Sequence, residues 1–74
     1  MSKKQDSALL LTLGANIKRH RLAANLSQTA LAKLLNVELR TVQRFEKGDT
    51  NIPLLSLYRI KTAFKCEWND LLGK

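Results

Sequence analysis

Cysteine occurs once, at Cys66, so no disulfide can close within the chain and nothing marks an oxidising compartment. That thiol has no basic cluster or triad partner beside it and reads as a small buried residue. Histidine also occurs once, at His20, with no cysteine or carboxylate at a metal-ligand spacing, so an exposed helix position is expected there. The sequence holds no catalytic constellation, and neither enzyme activity nor a cofactor, metal or small-molecule ligand is expected. Long apolar runs are missing too. Each aliphatic stretch is broken by Lys, Arg, Asn or Glu well before the ~18 residues of a membrane span. The opening MSKKQDSALLLTLG sets basic residues before a short apolar run, but no small-residue cleavage site follows, which argues against a signal peptide. The expectation is a soluble, cytosolic protein with no membrane contact. Residues 1–7 are expected to form a flexible N-terminal tail ahead of one domain, residues 8–74.

Acidic residues are scarce: 6 Asp+Glu stand against 13 Lys+Arg, a net charge of +7. Such an excess attracts polyanions, of which nucleic acid and acidic membrane surfaces are the usual ones. Charge alone does not choose between them. With 74 residues, 45% of them hydrophobic, there is room for one modest core. A chain this short buries only about 60% of the surface its unfolded form exposes, so a partner subunit would add stability.

What is present reads as an all-α chain of five short helices. The first runs from Ser7 or Ala8 to about Ala24, with Leu10, Leu13, Ile17, Leu22 and Ala24 at helical spacing and basic residues near its C-terminal end. Ser27 suits the N-cap of a second helix, about residues 28–35, and Asn36 suits a left-handed turn after it. A third helix, about residues 38–47, stops at Gly48. Pro53 fits the first turn of a fourth, which runs through Phe64 and has Leu54, Leu57, Ile60, Ala63 and Phe64 on its expected buried face. The last, from Glu67 to Leu72, carries Trp68, Leu71 and Leu72.

Within the third helix, LRTVQRFEKG places Arg40, Gln43, Arg44 and Lys47 at i, i+3, i+4 and i+7, one polar stripe, while Val42 and Phe45 face away. A charged stripe is by default a solvated helix face. The preceding segment changes that weighting. Leu31, Leu35 and Val37 are apolar, Ala32 is small and Asn36 occupies the turn, as two helices crossing steeply over a 3–4-residue turn require. LSQTALAKLLNVELRTVQRFEKG resembles the helix-turn-helix of the Cro and C1-type phage repressor superfamily, also called the XRE family. The likeness covers about residues 9–72: LGANIKRHR resembles the family's first helix, and NIPLLSLYRIKTAF and WNDLL its fourth and fifth. Five positions depart from the usual pattern, with Asn36 for a turn Gly, Glu38 for a small polar cap, Ile52-Pro53 for Pro-Ser, and Lys65 for a Gly.

The resemblance implies a compact five-helix, lambda-repressor-like domain and a sequence-specific regulator of transcription that binds double-stranded DNA. Helix three would enter the major groove. There Arg40 and Arg44 would grip guanine, Gln43 would pair with adenine and Leu39 would touch a thymine methyl. Phosphate contacts fall to Gln28, Ser27, Thr41, Lys47 and Asn51, with Ser27 equally suited to capping alone. Arg21 and Glu46 match a structural salt bridge between helices one and three, and the role of Glu38 is open. A homodimer on a palindromic operator is expected, because one recognition helix reads only a few base pairs whereas two set about 34–36 Å apart read a palindrome. Trp68, Leu71 and Leu72 form the expected dimer surface. A phage-type repressor and a restriction-modification controller protein both fit. The rival is a protein-interaction adaptor, such as an antitoxin, that holds a partner protein through the same apolar C-terminal surface. Single-stranded RNA is disfavoured, since no stacking aromatic lies on the basic stripe.

Overall fold

Four of the five helices stop on a residue in the left-handed region, and these stops make the corners of the fold. The computed structural model describes residues 3–73, in the order α1 (Lys3–Ala23), α2 (Gln28–Leu35), α3 (Leu39–Lys47), α4 (Leu54–Phe64) and α5 (Trp68–Leu72). The positive-φ residues are Asn25, Asn36, Gly48 and Lys65. Behind all four the chain turns back onto the finished helix: Leu26 N–H donates to Arg21 O at 3.1 Å, Val37 N–H to Ala32 O at 3.0 Å, Asp49 N–H to Arg44 O at 3.4 Å and Cys66 N–H to Lys61 O at 3.2 Å. These bonds satisfy carbonyls that the helix end would leave orphaned. Gly48 meets the conformation freely and Asn nearly so, whereas a Cβ at Lys65 costs roughly 1–2 kcal/mol.

Helix starts differ more. Ser27 caps α2 by accepting the Ala30 N–H at 3.0 Å. Glu67 and Asp70 form a reciprocal capping box at α5, with Glu67 N–H donating to Asp70 Oδ2 at 2.9 Å. Glu38 precedes α3 without a side-chain capping bond, and Pro53 precedes α4. α1 begins at Lys3, so the expected tail is helical from that residue on, while Met1 and Ser2 lie outside the described residues. No Gly or Pro interrupts Lys3 to Leu13, so nothing stops the helix from extending backwards.

The core gathers Leu13 and Ile17 from α1, Leu31, Ala32 and Leu35 from α2, Val42 and Phe45 from α3, Ile60 from α4, Leu71 from α5, and Cys66. Val37, Ile52, Leu57 and Phe64 pack on its margin. α1 lies chiefly against α3 and α5, and α2 against α3 and α4. The α1–α3 approach needs Gly14: a Cβ there would lie 2.5 Å from Phe45 O and 2.7 Å from Glu46 O. Asn16, also buried, donates from Nδ2 to Leu71 O at 2.7 Å and Gly73 O at 2.8 Å, tying α1 to the end of α5. Arg59 donates to Leu35 O at 3.3 Å, at the C-terminus of α2.

Several facings differ from expectation. In α1 the inward stripe is Leu13, Asn16, Ile17 and Arg21, leaving Leu22 and Ala24 exposed. In α4 the inward positions are Ser56 and Ile60, so Leu54 is 75% exposed and Ala63 also faces out. His20 is half-buried, its ring stacked on Phe64 with centroids 5.9 Å apart and Nε2 buried without a hydrogen-bond partner. Burial, with the Asp70 charge acting the same way, pushes the Cys66 thiol above its ordinary value. No helix among the described residues is long and apolar enough to cross a membrane.

Candidate nucleic-acid interface

The basic stripe stays uncovered because the two apolar residues of α3 point the other way. Val42 and Phe45 are buried, and their burial turns Arg40, Gln43, Arg44 and Lys47 to solvent. All four side chains, together with Asp49 from the turn after α3, line one polar cleft. Arg44 Nε lies 3.5 Å from Asp49 Oδ1, with both side chains about half exposed. Leu39 is 40% exposed at the start of α3, and Thr41 is half-buried. Glu38 is exposed at the N-cap.

What orients α3 lies behind it. Arg21 of α1 donates from Nε to Glu46 Oε2 at 2.6 Å and from Nη2 to Glu46 Oε1 at 3.1 Å, while its Nη1 donates to Leu26 O at 2.8 Å. The pair is nearly dry, with side-chain exposures of 8% and 4%. A two-point guanidinium–carboxylate contact fixes direction as well as distance, so α3 is pinned in rotation against α1. Gln28, the first residue of α2, joins the cluster by donating from Nε2 to Glu46 Oε1 at 3.0 Å. A phosphate can therefore receive only its second Nε2 hydrogen, since its Oε1 donates nothing. This link from Gln28 to Glu46 was not visible in the sequence, where the two residues lie 18 positions apart.

The other expected phosphate ligands are dispersed around α3. Ser27 Oγ is occupied as an acceptor by the Ala30 N–H, yet its own hydroxyl hydrogen remains available to an anion. Lys47, at the last turn of α3, and Asn51, in the loop that follows, are exposed.

The expected dimer surface is altered. Leu71 is fully buried in the core and cannot meet a partner, because of the adjacent leucines Leu71 and Leu72 only one can face inward from α5. Trp68 is 38% and Leu72 40% exposed. Trp68 instead shares an apolar groove with Leu54, Leu55 and Tyr58 of α4, and Lys61 sits over its ring at 5.5 Å.

This arrangement, a crossed helix pair with an uncovered polar second helix, coincides with a match between residues 17–71 and the family model described as helix-turn-helix. The chain belongs to the helix-turn-helix family, of the Cro/C1 (XRE) type. An uncharacterised HTH-type transcriptional regulator of Sinorhizobium fredii is 30% identical over 77 residues, which cover 99% of this chain and 54% of that protein. The chain thus spans about half the length of the curated relative it matches. The crystal structure of the restriction-modification controller protein C.AhdI from Aeromonas hydrophila superposes with a TM-score of 0.78 at 31% identity, over 86% of this chain and 97% of that one. α2 and α3 are the two helices of the helix-turn-helix pair.

Proposed function

We propose that this chain is a sequence-specific regulator of transcription that acts in the cytoplasm and reads double-stranded DNA with α3 in the major groove. One observation carries this: the cleft formed by Arg40, Gln43, Arg44 and Lys47 is solvent-facing while a buried ion pair fixes the helix that bears it. The major groove admits a helix and distinguishes all four base pairs. Arg40 and Arg44 take guanine O6 and N7, Gln43 takes adenine, and Leu39 meets a thymine methyl. Gln28, Ser27, Thr41, Lys47 and Asn51 hold phosphates and set the register. The protein works by binding and not by catalysis.

The functional unit is a homodimer on a palindromic operator, formed through the groove of Leu54, Leu55, Tyr58 and Trp68. Leu54, Leu55, Tyr58 and Trp68 line that groove among the described residues, and burying such an apolar surface can outweigh the repulsion between two bodies that each carry +7. A protein-interaction adaptor would use the same groove, but that role leaves the basic cleft without a task. Likeness to C.AhdI favours a controller-type regulator over a phage repressor.

Random-site selection with the purified protein, followed by footprinting, tests the proposal. A palindromic consensus, with affinity falling steeply as salt rises, is the expected result. Binding to no duplex at low salt, together with salt-insensitive capture of a protein, would contradict it.

A further inference from the structure

Asp49 is an acid placed where phosphate must approach. Among the described residues it is the one carboxylate lining the cleft otherwise built from Arg40, Gln43, Arg44 and Lys47. Its position is set by the backbone: Gly48 in the left-handed region reverses the chain, and Asp49 N–H returns to Arg44 O at 3.4 Å. The carboxylate thereby lies one turn below the Arg44 side chain, with Oδ1 3.5 Å from Nε.

We infer that Asp49 is a specificity-determining residue that acts through Arg44. Guanidinium can grip guanine O6 and N7 by its two terminal nitrogens or by Nε and one terminal nitrogen. Asp49 stands on the Nε side, which biases Arg44 toward the grip by its two terminal nitrogens. The same charge acts on the rest of the duplex. A half-exposed carboxylate beside the backbone repels phosphate, and it holds Arg44 against swinging to the nearest one. Asp49 therefore strengthens base discrimination at one position and weakens binding to DNA in general. Both effects raise the ratio of specific to non-specific affinity.

The inference rests on α3 being the base-reading helix, and its test separates the two. Full-length Asp49→Asn keeps the shape of the side chain and removes the charge. Its affinity is measured on the selected operator, on the operator changed at the base pair whose preference Arg44→Ala relaxes, and on an unrelated duplex. Asp49→Asn should bind the unrelated duplex about two- to fivefold more tightly and lose a similar factor of discrimination at the Arg44 base pair. In the Arg44→Ala background the same substitution should still tighten the unrelated duplex but change no base preference. Asp49→Glu should restore part of the discrimination. Thermal melting checks that Asp49→Asn is folded, and a merely structural role would not move base preference. Unchanged discrimination in a folded Asp49→Asn, or an equal change on all three duplexes, overturns the inference while leaving the proposed function intact. A wild-type protein that prefers no duplex overturns both.

Discussion

Arg21 clasps Glu46 with two hydrogen bonds, at 2.6 and 3.1 Å, and through them α1 dictates how α3 is turned. Glu46→Ala leaves the guanidinium buried with Leu26 O as its remaining acceptor. Breaking a buried pair from one side costs about 3–5 kcal/mol, a large share of the ~4–11 kcal/mol that holds a domain of this size together. Urea denaturation should show that loss. DNA binding by the variant should return in a stabilising osmolyte, because the residue supports the fold and does not touch bases. Wild-type stability with lost binding would place Glu46 in the interface instead.

Gly14→Ala should destabilise, although alanine is the better helix former by about 1 kcal/mol. The new methyl would meet backbone oxygens of Phe45 and Glu46 at 2.5 and 2.7 Å, and backbone cannot rotate aside as a side chain does. α1 and α3 would have to part, at about 1–3 kcal/mol of overpacking. A lower melting temperature checks this; a higher one would mean that the helices separate freely.

Lys65→Gly should stabilise by about 0.5–1 kcal/mol. The residue holds φ 52° at the end of α4, where glycine has no Cβ to strain, and its side chain is exposed. The net gain is smaller than the full left-handed penalty because glycine also widens the unfolded ensemble. Calorimetry should record a rise of about 2–8 °C.

Leu54→Glu should break the proposed dimer without harming the fold, since the side chain is 75% exposed yet lines the apolar groove. Sedimentation is expected to show a dimer for the wild type and a monomer for the variant. Operator affinity should fall with it. A wild-type monomer at micromolar concentration would remove the groove from the assembly.

Much of this was legible in the sequence, for physical reasons that differ by element. α2 and α3 announce themselves because Ser27, Asn36 and Gly48 each have a local conformational role, and because Val42 and Phe45 leave a single basic stripe opposite. α4 was harder. Leu54, Leu55, Leu57, Tyr58, Ile60 and Phe64 support more than one apolar face, and the choice that buries Ser56 is made by tertiary packing. The same ambiguity hid which of Leu71 and Leu72 enters the core. The start of α1 carried no stop signal. Two features of the site had no sequence signal at all: the bond from Gln28 to Glu46 depends on how α2 meets α3, and the Arg44–Asp49 pair depends on the reversal at Gly48.

The most direct test of α3 as the base reader compares Arg44→Ala and Gln28→Ala across a panel of duplexes that differ one base pair at a time. Arg44→Ala should cost about 1–3 kcal/mol on the preferred operator and relax preference at one base position, whereas Gln28→Ala should weaken every duplex alike. Equal, uniform losses from both substitutions would contradict the assignment of Arg44 to bases and Gln28 to phosphate.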